Sequence, residues 1–238
     1  MKVLLTRPEG RNQAMVQQLK TKGVDCIVTP LLAVAPTHFS IDTHQLSTSD
    51  CIIFISTNAV HFAALSLNNN FPDCRYYAVG QATADALRQF NIEAEVAPQD
   101  NQDSEGLLSL NSLSEIKNQH IVIIRGVGGR ETIAEQLTLR QAKVNYWEVY
   151  QRVMPKLDAQ SVCSQWQTAK IDTIVVTSGE VLVNLINLVP KELFAWLQSC
   201  HIIVPSHRVE QRAKTAGFCH VTNANGANTE AVIQALSL

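Results

Sequence analysis

The chain has 238 residues, of which 46% are hydrophobic and 17% are charged, and its formal net charge is −2. These proportions are typical of a globular protein, and the length suits two domains of about 100–150 residues each. The charge balance excludes the basic surface that nucleic-acid or membrane-surface binding requires, so any anion-binding site must be built locally.

The first residues of the chain give no targeting signal. The apolar run Val3–Leu5 ends at Thr6–Pro8 and is too short for a signal peptide. No apolar stretch reaches the roughly 18–20 residues of a membrane span. The six cysteines form no CxxC pair and have no zinc-ligand spacing with the seven histidines. We therefore expect a cytoplasmic protein with reduced cysteines and no metal.

Short β-branched runs alternate with amphipathic stretches along the whole chain. In chain order, strands are predicted at Val3–Thr6, Asp25–Thr29, Cys51–Ser56, Tyr76–Val79, Ala94–Ala97, Ile121–Arg125, Val144–Tyr150, Thr173–Thr177, Ile202–Val204 and His220–Thr222. Helices are predicted at Arg11–Lys22, Ala59–Leu67, Thr83–Phe90, Glu105–Leu113, Arg130–Arg140, Ser161–Thr168, Val181–Leu188, Glu192–Gln198, Val209–Ala216 and Asn228–Leu236. Strands that alternate with single helices favour parallel sheets built from βαβ crossovers. Because most of the strands are short and apolar, we expect both faces of the sheets to be covered.

Three segments recur along the chain in a cyclically shifted order. Arg7–Leu19 aligns with Arg125–Leu137, Asp50–Ser56 aligns with Asp172–Ser178, and Tyr77–Thr83 aligns with Ile202–Arg208. The unit at Arg125 closes its series, whereas its counterpart at Arg7 opens the chain. This shift predicts two similar domains, of which the first is discontinuous.

The predicted domain boundaries follow from this repeat. Domain 1 combines residues 1–32 with residues 157–238, and domain 2 spans residues 38–150. Residues 33–37 and 151–156 are the predicted inter-domain linkers. Both contain proline, which suits a semi-rigid linker and stops a strand. Two crossings of the chain predict a hinge, and small-molecule sites favour the cleft between hinged domains.

Small polar residues, glycine and arginine follow the predicted strands. Ligands of open parallel sheets bind beyond the carboxyl ends of the strands, where helix N-termini present free N–H groups to anions. Arginine is the preferred bidentate partner of carboxylate or phosphate. On this argument we predict ligand binding by Arg7, Arg125, Gly128, Arg130 and Arg208. The alternative is that these segments are ordinary helix caps and turns.

Well-known catalytic motifs do not account for these strand ends. Gly126–Arg130 lacks the full GxGxxG spacing of a dinucleotide loop, and the chain has no GxxxxGK[ST], GxSxG or HExxH motif. Tyr150 ends a predicted strand just before the second domain crossing. It either fills the hinge or places a phenolic O–H in the cleft as a weak acid.

Several short segments together resemble the uroporphyrinogen-III synthase family over the whole length of the chain. Each segment is weak alone, but their order, spacing and joint presence are specific. The segments are Val3–Pro8, Phe54–Val60, Ala78–Ala84, Arg125–Arg130, Val149–Arg152, Val176–Gly179 and Val204–Arg208, with Phe218–Val221 and Ala224–Asn228 fitting the family's closing strand and helix.

The fold that this resemblance implies is α/β, with two flavodoxin-like parallel-sheet domains joined by a two-stranded linker and a discontinuous first domain. The implied enzyme is a monomeric lyase that needs no cofactor. Its substrate is hydroxymethylbilane, or preuroporphyrinogen, a linear tetrapyrrole polycarboxylate. No nucleic-acid or membrane partner is expected. A transient contact with hydroxymethylbilane synthase is conceivable, but no residue of the sequence argues for it.

The family reaction closes the linear tetrapyrrole into uroporphyrinogen III. The hydroxymethyl group on ring A loses its hydroxide, the substituted carbon of ring D attacks, and a spiro intermediate fragments and recloses with ring D inverted. The resemblance carries the acid role to Tyr150. It carries substrate binding to Ser56, Thr57, Asn58, Thr83, Ser178, Gly179 and Ser206. Because the free substrate closes to the symmetric isomer I, the enzyme must hold the conformation in which the inverting attack is nearer.

Three other functions stay open on the sequence alone. A non-catalytic two-domain protein would bind a small polyanion or nucleotide in the same predicted cleft. A nucleotide- or phosphate-dependent enzyme would use the same fold class. Isomer-specific product formation discriminates against the first, and a thermal shift with nucleotides tests the second. The third, a regulatory or membrane-complex interaction role, has no feature in the helical faces that distinguishes it from ordinary core packing.

Overall fold

The computed structural model describes residues 1–39 and 43–238. The chain divides into two compact units. Unit 1 comprises Met1–Ala33 and Val153–Leu238, and unit 2 comprises Val34–Arg152. The chain passes between the units within the two segments that the sequence predicts as linkers. The domain boundaries themselves stay a prediction, and residues 40–42 of predicted domain 2 lie outside the described residues.

Strands and helices alternate along the described residues. The strands are β1 (Lys2–Leu5), β2 (Asp25–Val28), β3 (Ala33–Pro36), β4 (Cys51–Phe54), β5 (Arg75–Ala78), β6 (Glu95–Val96), β7 (His120–Gly126), β8 (Lys143–Val153), β9 (Thr173–Val175), β10 (His201–Val204) and β11 (His220–Asn223). The α-helices are α1 (Gln13–Thr21), α2 (Thr43–Ser47), α3 (Thr57–Leu67), α4 (Gln81–Arg88), α5 (Ser104–Leu108), α6 (Thr132–Leu139), α7 (Ala159–Thr168), α8 (Gly179–Leu188), α9 (Phe194–Ser199), α10 (His207–Thr215) and α11 (Thr229–Ala235). Short 3₁₀ helices lie at Asn111–Leu113 and Lys191–Leu193. Within residues 1–39 and 43–238, no helix is long and apolar enough to cross a membrane.

Unit 1 is built on a five-stranded sheet with the order β11-β10-β9-β1-β2, in which all neighbours are parallel. Numbered from the first strand of the unit, this order is 2-1-3-4-5. Side-chain alternation separates two cores. Leu4 packs with Trp166 on one face, whereas Val3 and Leu5 pack against α1 and α11 on the other. Because both faces are covered, the strands are continuous apolar runs, as predicted.

Unit 2 is built on a six-stranded sheet with the order β3-β8-β7-β4-β5-β6. Under the repeat alignment, β8-β7-β4-β5-β6 take the positions of β2-β1-β9-β10-β11 in unit 1. The cyclic shift predicted from the sequence is therefore confirmed at the level of strand order. Alternation again separates two cores, with Ile52 and Phe54 on one face and Cys51 and Ile53 on the other.

The first predicted linker contains a strand. Residues Ala33–Pro36 form β3 at the edge of the unit 2 sheet, and the N–H of Thr37 donates to the carbonyl of Val149 at 3.2 Å. The strand ends at its proline, as predicted, but the strand itself was not among those predicted from the sequence. Pro36 is the last residue of an edge strand, where its missing N–H is tolerated.

Three other predicted elements differ in extent. Strand β8 continues through Val153, so Tyr150 lies inside the strand and not at its end. The helix predicted at Glu105–Leu113 ends at Leu108 and is followed by a 3₁₀ turn. The helix predicted at Glu192–Gln198 is divided between the second 3₁₀ helix and α9. Each of the ten predicted strands is present, with ends that differ by a few residues.

The six cysteines are free thiols. Cys51, Cys163 and Cys200 are buried in the cores, and burial raises the pKa of the Cys51 thiol to about 12. These three residues therefore serve as small hydrophobic core residues, as expected from their apolar neighbours in sequence.

Candidate active site

Helix α3 begins at the carboxyl end of β4, within unit 2. Its N-cap is Ser56, whose backbone is extended (φ −163°, ψ 160°) and whose Oγ accepts the N–H of Ala59 at 3.1 Å. Thr57 and Asn58 are the first two helical residues, so their N–H groups have no intrahelical partner. The helix dipole adds partial positive charge at the same point. Three predicted binding residues thus form one helix N-terminus.

Helix α4 begins at the carboxyl end of β5 with Gly80 as its N-cap. The N–H of Gln81 donates to Oε1 of Gln102 at 3.0 Å. Thr83, a predicted binding residue, lies on this first turn and is 5% exposed. An amide oxygen of the protein therefore occupies a position where a ligand carboxylate would bind this helix.

Tyr150 lies at a β-bulge in β8. The register of β7 and β8 shifts at Gly126, which pairs with Tyr150 and not with Val149. Bulges re-aim side chains, and here Tyr150 packs against the core that contains Trp147 and Val149. Strict alternation would place it on the opposite face of the sheet. The ring stacks on Phe62 of α3, with centroids 5.8 Å apart.

Glycine at position 126 is what allows this arrangement. A Cβ added to Gly126 would lie 2.5 Å from the Tyr150 ring, so a larger residue would displace the tyrosine. The phenolic oxygen lies 3.1 Å from Oγ of Ser56. The structure therefore brings together two residues that the sequence assigned separately, one as an acid and one as a binding residue.

Arg125 is buried beneath the glycine-rich loop that follows β7, with a side chain that is 3% exposed. Its Nη1 lies 3.1 Å from Oε1 of Glu131, and its Nε lies 3.8 Å from Oε1 of Glu148. The guanidinium also donates to the carbonyls of Gly126 and Arg130. These bonds lie within the loop, so they hold its shape. The predicted contact of Arg125 with a ligand stays a prediction.

Tyr146 and two carboxylates complete this network. The Tyr146 hydroxyl donates to Glu131, and its ring lies 4.5 Å from the Arg125 guanidinium carbon. The bond from Tyr146, reinforced by Arg125, lowers the pKa of Glu131. Burial and the Glu131 carboxylate raise the pKa of Tyr146 to about 12. Gly128, with a φ of +72°, donates its N–H to Glu148 at 3.1 Å, which fixes the tip of the loop.

Two cavities lie beside the glycine-rich loop. The larger has a volume of about 230 Å³, and Arg125, Gly128 and Arg130 line it together with apolar walls formed by Ile55, Val79, Ile123, Ile133 and Tyr146. The smaller, of about 120 Å³, is lined by Ile55, Tyr150, Arg152 and residues Gly126–Gly129. Asp103 and Ser104 also line the larger cavity. Its apolar walls therefore surround polar groups of both charges, as in sites for small organic ligands.

In unit 1, helix α8 begins at the carboxyl end of β9 in the same way as α3 does in unit 2. Ser178 has an extended backbone (φ −158°, ψ 161°), and its Oγ accepts the N–H of Val181 at 3.1 Å. A Cβ added to Gly179 would lie 3.0 Å from Nη1 of Arg212. A guanidinium therefore lies against the positive end of α8, and this arrangement favours a bound anion.

Helix α10 begins at the carboxyl end of β10 with Ser206 as its N-cap. The Ser206 side chain makes no capping hydrogen bond, so its hydroxyl is available for other partners. Arg208 is exposed on the first turn of this helix. Both residues are predicted ligands. Ser206 is half-buried and Arg208 is exposed, which is compatible with that role.

Arg7 lies in the loop after β1, at the carboxyl edge of the unit 1 sheet. Its guanidinium donates to the carbonyls of Arg11 and Ala227. Burial lowers the pKa of Arg7, and the charge of Glu230 opposes that shift. Like Arg125, Arg7 therefore donates its hydrogen bonds to backbone carbonyls of its own unit.

Five residues with a place in these sites were missed by sequence reasoning: Gln102, Glu131, Tyr146, Glu148 and Arg212. Tyr146 and Glu148 alternate with buried residues of β8, which is the signal that would have placed them on one face. Gln102 lies in a loop and Arg212 lies in the second turn of α10, where no motif marks them. Among the described residues, no group of three or more His, Cys, Asp or Glu side chains is placed to hold a metal ion.

The fold and these strand ends define an α/β protein with two sheets built from parallel strands, which carry helix N-termini and arginines at their carboxyl edges. A family model described as uroporphyrinogen-III synthase HemD matches residues 13–234. Uroporphyrinogen-III synthase of Escherichia coli K12 is 34% identical over 247 residues, covering 99% of this chain and 100% of that protein. The Salmonella typhimurium LT2 protein of the same name is 35% identical over 245 residues, with 99% and 100% covered. The chain therefore belongs to the uroporphyrinogen-III synthase family.

Two solved structures share the fold. Uroporphyrinogen-III synthetase from Helicobacter pylori 26695 has a TM-score of 0.60 at 14% identity, covering 99% of this chain and 98% of that chain. A mutant uroporphyrinogen III synthase from Thermus thermophilus has a TM-score of 0.52 at 14% identity, covering 100% and 99%. At this identity the likeness shows the fold alone, a mixed α/β architecture with parallel sheets.

Proposed function

We propose that the protein is a uroporphyrinogen-III synthase, a cyclising lyase of heme biosynthesis. It converts hydroxymethylbilane to uroporphyrinogen III with inversion of ring D and loss of water. The observation that carries this proposal is the family match, which spans residues 13–234 and is matched by relatives of that name over their full length. The polar strand ends of both units support it, because the substrate is a polycarboxylate.

Tyr150 is the proposed general acid. It donates its phenolic proton to the hydroxyl on ring A as the C–O bond breaks, and water leaves. The lone pair of the pyrrole nitrogen forms a C=N bond, and the ring π electrons shift to form the exocyclic C=C bond of the protonated azafulvene. Ring D attacks through its substituted carbon to give the spiro intermediate, which fragments and recloses. The α-proton that ring D loses at closure restores the phenol, so protons balance over the cycle.

The proposed substrate-binding residues hold the carboxylates. Helix N-termini supply unpaired N–H groups at Thr57, Asn58 and Gly179, and Ser178, Ser206 and Thr83 supply hydroxyls beside them. Arg130 and Arg208 are exposed and supply charge, while Arg7, Arg125 and Gly128 shape the loops that carry further contacts. Since the chemistry is intrinsic to electron-rich pyrroles, positioning supplies most of the selectivity.

The finer architecture belongs to the same proposal. The strand order 2-1-3-4-5 of unit 1 supports a flavodoxin-like domain, and the matching order in unit 2 supports a second one. Strand β3 beside β8 supports a two-stranded linker. We further propose a cytoplasmic monomer that needs no cofactor and makes a transient contact with hydroxymethylbilane synthase.

Product analysis tests the function. The protein is supplied with freshly generated hydroxymethylbilane, the products are oxidised, and uroporphyrins I and III are separated. Predominant isomer III, dependent on the protein and on no added cofactor, is expected. Isomer I alone, as in the control without protein, would overturn the proposal if the protein is folded.

The role of Tyr150 has its own test. Tyr150→Phe is expected to lower kcat by about 10²-fold or more, because a positioned acid contributes roughly 10²–10⁴-fold. Tyr76→Phe is the matched control, since the Tyr76 hydroxyl donates to the carbonyl of Pro72 near the amino end of β5. Unchanged turnover by folded Tyr150→Phe would remove the acid role and leave the synthase assignment standing.

A further inference from the structure

Ser56 occupies a position between a helix N-terminus and Tyr150. Its Oγ accepts the N–H of Ala59 at 3.1 Å and lies 3.1 Å from the Tyr150 hydroxyl. A serine hydroxyl has one proton and two acceptor positions. With one acceptor position taken by the helix, its proton is available to Tyr150.

From this geometry we propose that Ser56 is a positioning residue that acts through Tyr150, donating its hydroxyl proton to the phenolic oxygen and leaving the Tyr150 O–H directed to the leaving hydroxyl. This inference rests on the proposed function, and it replaces direct substrate binding as the role of Ser56.

The direction of the hydrogen bond follows from the helix. The Ala59 N–H lies at the positive end of α3 and withdraws electron density from Oγ of Ser56, which makes that hydroxyl the better donor. If Tyr150 donated to Ser56 instead, its only proton would be held inside the protein. The ring has little freedom to turn away, because it lies against Gly126 and stacks on Phe62.

Three substitutions at Ser56 separate capping from donation. Ser56→Thr keeps both functions, because its hydroxyl caps the helix and donates. Ser56→Asp keeps the cap but has only acceptor oxygens, so it would accept the Tyr150 proton. Ser56→Ala removes both. Asp158→Ala is the matched control for a lost cap, since Asp158 caps α7 through the N–H of Ser161 at 2.9 Å and contacts none of the site residues named above.

The expected kinetic result separates these variants by kcat. Ser56→Ala and Ser56→Asp are expected to lower kcat about tenfold or more, whereas Ser56→Thr stays within about twofold, because only the first two lose the donor. Ser56→Asp keeps its thermal stability although its kcat falls. Asp158→Ala loses stability at unchanged kcat. In the Tyr150→Phe background, Ser56→Ala is expected to add no further loss of kcat, since both substitutions remove one coupled function.

A spectroscopic measurement reads the hydrogen bond without substrate. In protein labelled with ¹³C at tyrosine Cζ, the Tyr150 resonance is assigned by its disappearance in Tyr150→Phe. It is expected to shift in Ser56→Ala and Ser56→Asp and to stay in place in Ser56→Thr. An unshifted resonance in Ser56→Ala would overturn the proposal.

Kinetics supply the other refuting outcome. Equal losses of kcat/KM from Ser56→Ala with and without Tyr150→Phe would show that Ser56 contacts the substrate directly. Failure of this inference is distinguishable from failure of the function. If the unmodified protein forms isomer III and Ser56→Ala is fully active, only the role of Ser56 is lost. If it forms isomer I alone, the synthase assignment is lost.

Discussion

The substitution Gly126→Ala tests how the fold places Tyr150. The new Cβ would lie 2.5 Å from Cε2 and 2.6 Å from Cζ of the ring, whereas ordinary van der Waals contact begins at 3.4 Å. The ring must therefore retreat by about 0.9 Å, the difference between 3.4 and 2.5 Å. A movement of that size away from Ser56 would extend the 3.1 Å separation of the two oxygens beyond hydrogen-bond distance.

Two quantities are expected to change. Overpacking costs about 1–3 kcal/mol, which for a chain of this size lowers Tm by roughly 2–12 °C. Misplacement of a catalytic group by about 1 Å costs roughly 10²-fold in rate. We therefore expect Gly126→Ala to fold, to unfold at lower temperature, and to form isomer III about 10²-fold more slowly.

Quenched product assays and thermal unfolding measure both effects on the same samples. Gly23→Ala is the control for a loss of stability alone, because Gly23 has a positive φ of +69° and nothing within 4 Å of an added Cβ. It lies beyond the end of α1, so the variant loses stability from backbone strain while kcat stays unchanged. Wild-type kcat in Gly126→Ala would refute the reasoning, since it would show that the position of Tyr150 does not matter.

Three further substitutions test neighbouring groups. In Tyr146→Phe, the free energy of unfolding is expected to fall less between pH 10 and 12 than in the unmodified protein. The folded-state pKa of Tyr146 is raised from 10.0 to about 12, so the stability that this residue contributes is complete below pH 10 and is lost as pH rises through that window. Urea unfolding at several pH values measures the difference, and identical pH profiles would contradict the prediction. Arg212→Gln is expected to raise KM several-fold with little change in kcat, because it removes a cation from the N-terminus of α8; an unchanged KM would remove Arg212 from the site. Gln102→Ala frees the N–H of Gln81 and is expected to lower KM if α4 binds a substrate carboxylate; a raised KM would show that Gln102 itself contacts the substrate.

The strands were predictable because burial on both faces makes them apolar. Leu4 and Val3 face different cores, so no polar residue interrupts β1, and the same holds for β4. The bulge was not predicted, because Gly126, which lies at the register shift, was interpreted from the sequence only as part of a glycine-rich loop. Strict alternation groups Tyr150 with Tyr146, but the bulge moves Tyr150 to the face of Trp147. Strand β3 was not predicted because a short segment that ends in proline suits both a linker and an edge strand.

The four arginines of the candidate site were predicted as one group of ligand contacts. In the structure, Arg7 and Arg125 donate to backbone carbonyls, whereas the other two arginines are exposed. Their charge and their place after a strand were visible in the sequence. Which partners they find depends on residues remote in sequence, such as Glu148 for Arg125 and Ala227 for Arg7. Exposure likewise depends on the tertiary fold. The sequence therefore predicted the carboxyl edge of each sheet, but it did not predict which arginines bond to the backbone of their own loop and which are exposed.

The repeat gives a physical reason for that division. Arg7 and Arg125 are equivalent positions, each at the carboxyl end of the first strand of its repeat unit. Arg7 donates to the carbonyl of Arg11, and Arg125 donates to the carbonyl of Arg130, so both close the loop between that strand and the next helix. A guanidinium satisfies several carbonyls at once because its donors are spread over a rigid plane. Both arginines therefore shape the loop, whereas Arg130 and Arg208 are exposed. Contact of any of the four with substrate carboxylates stays a prediction.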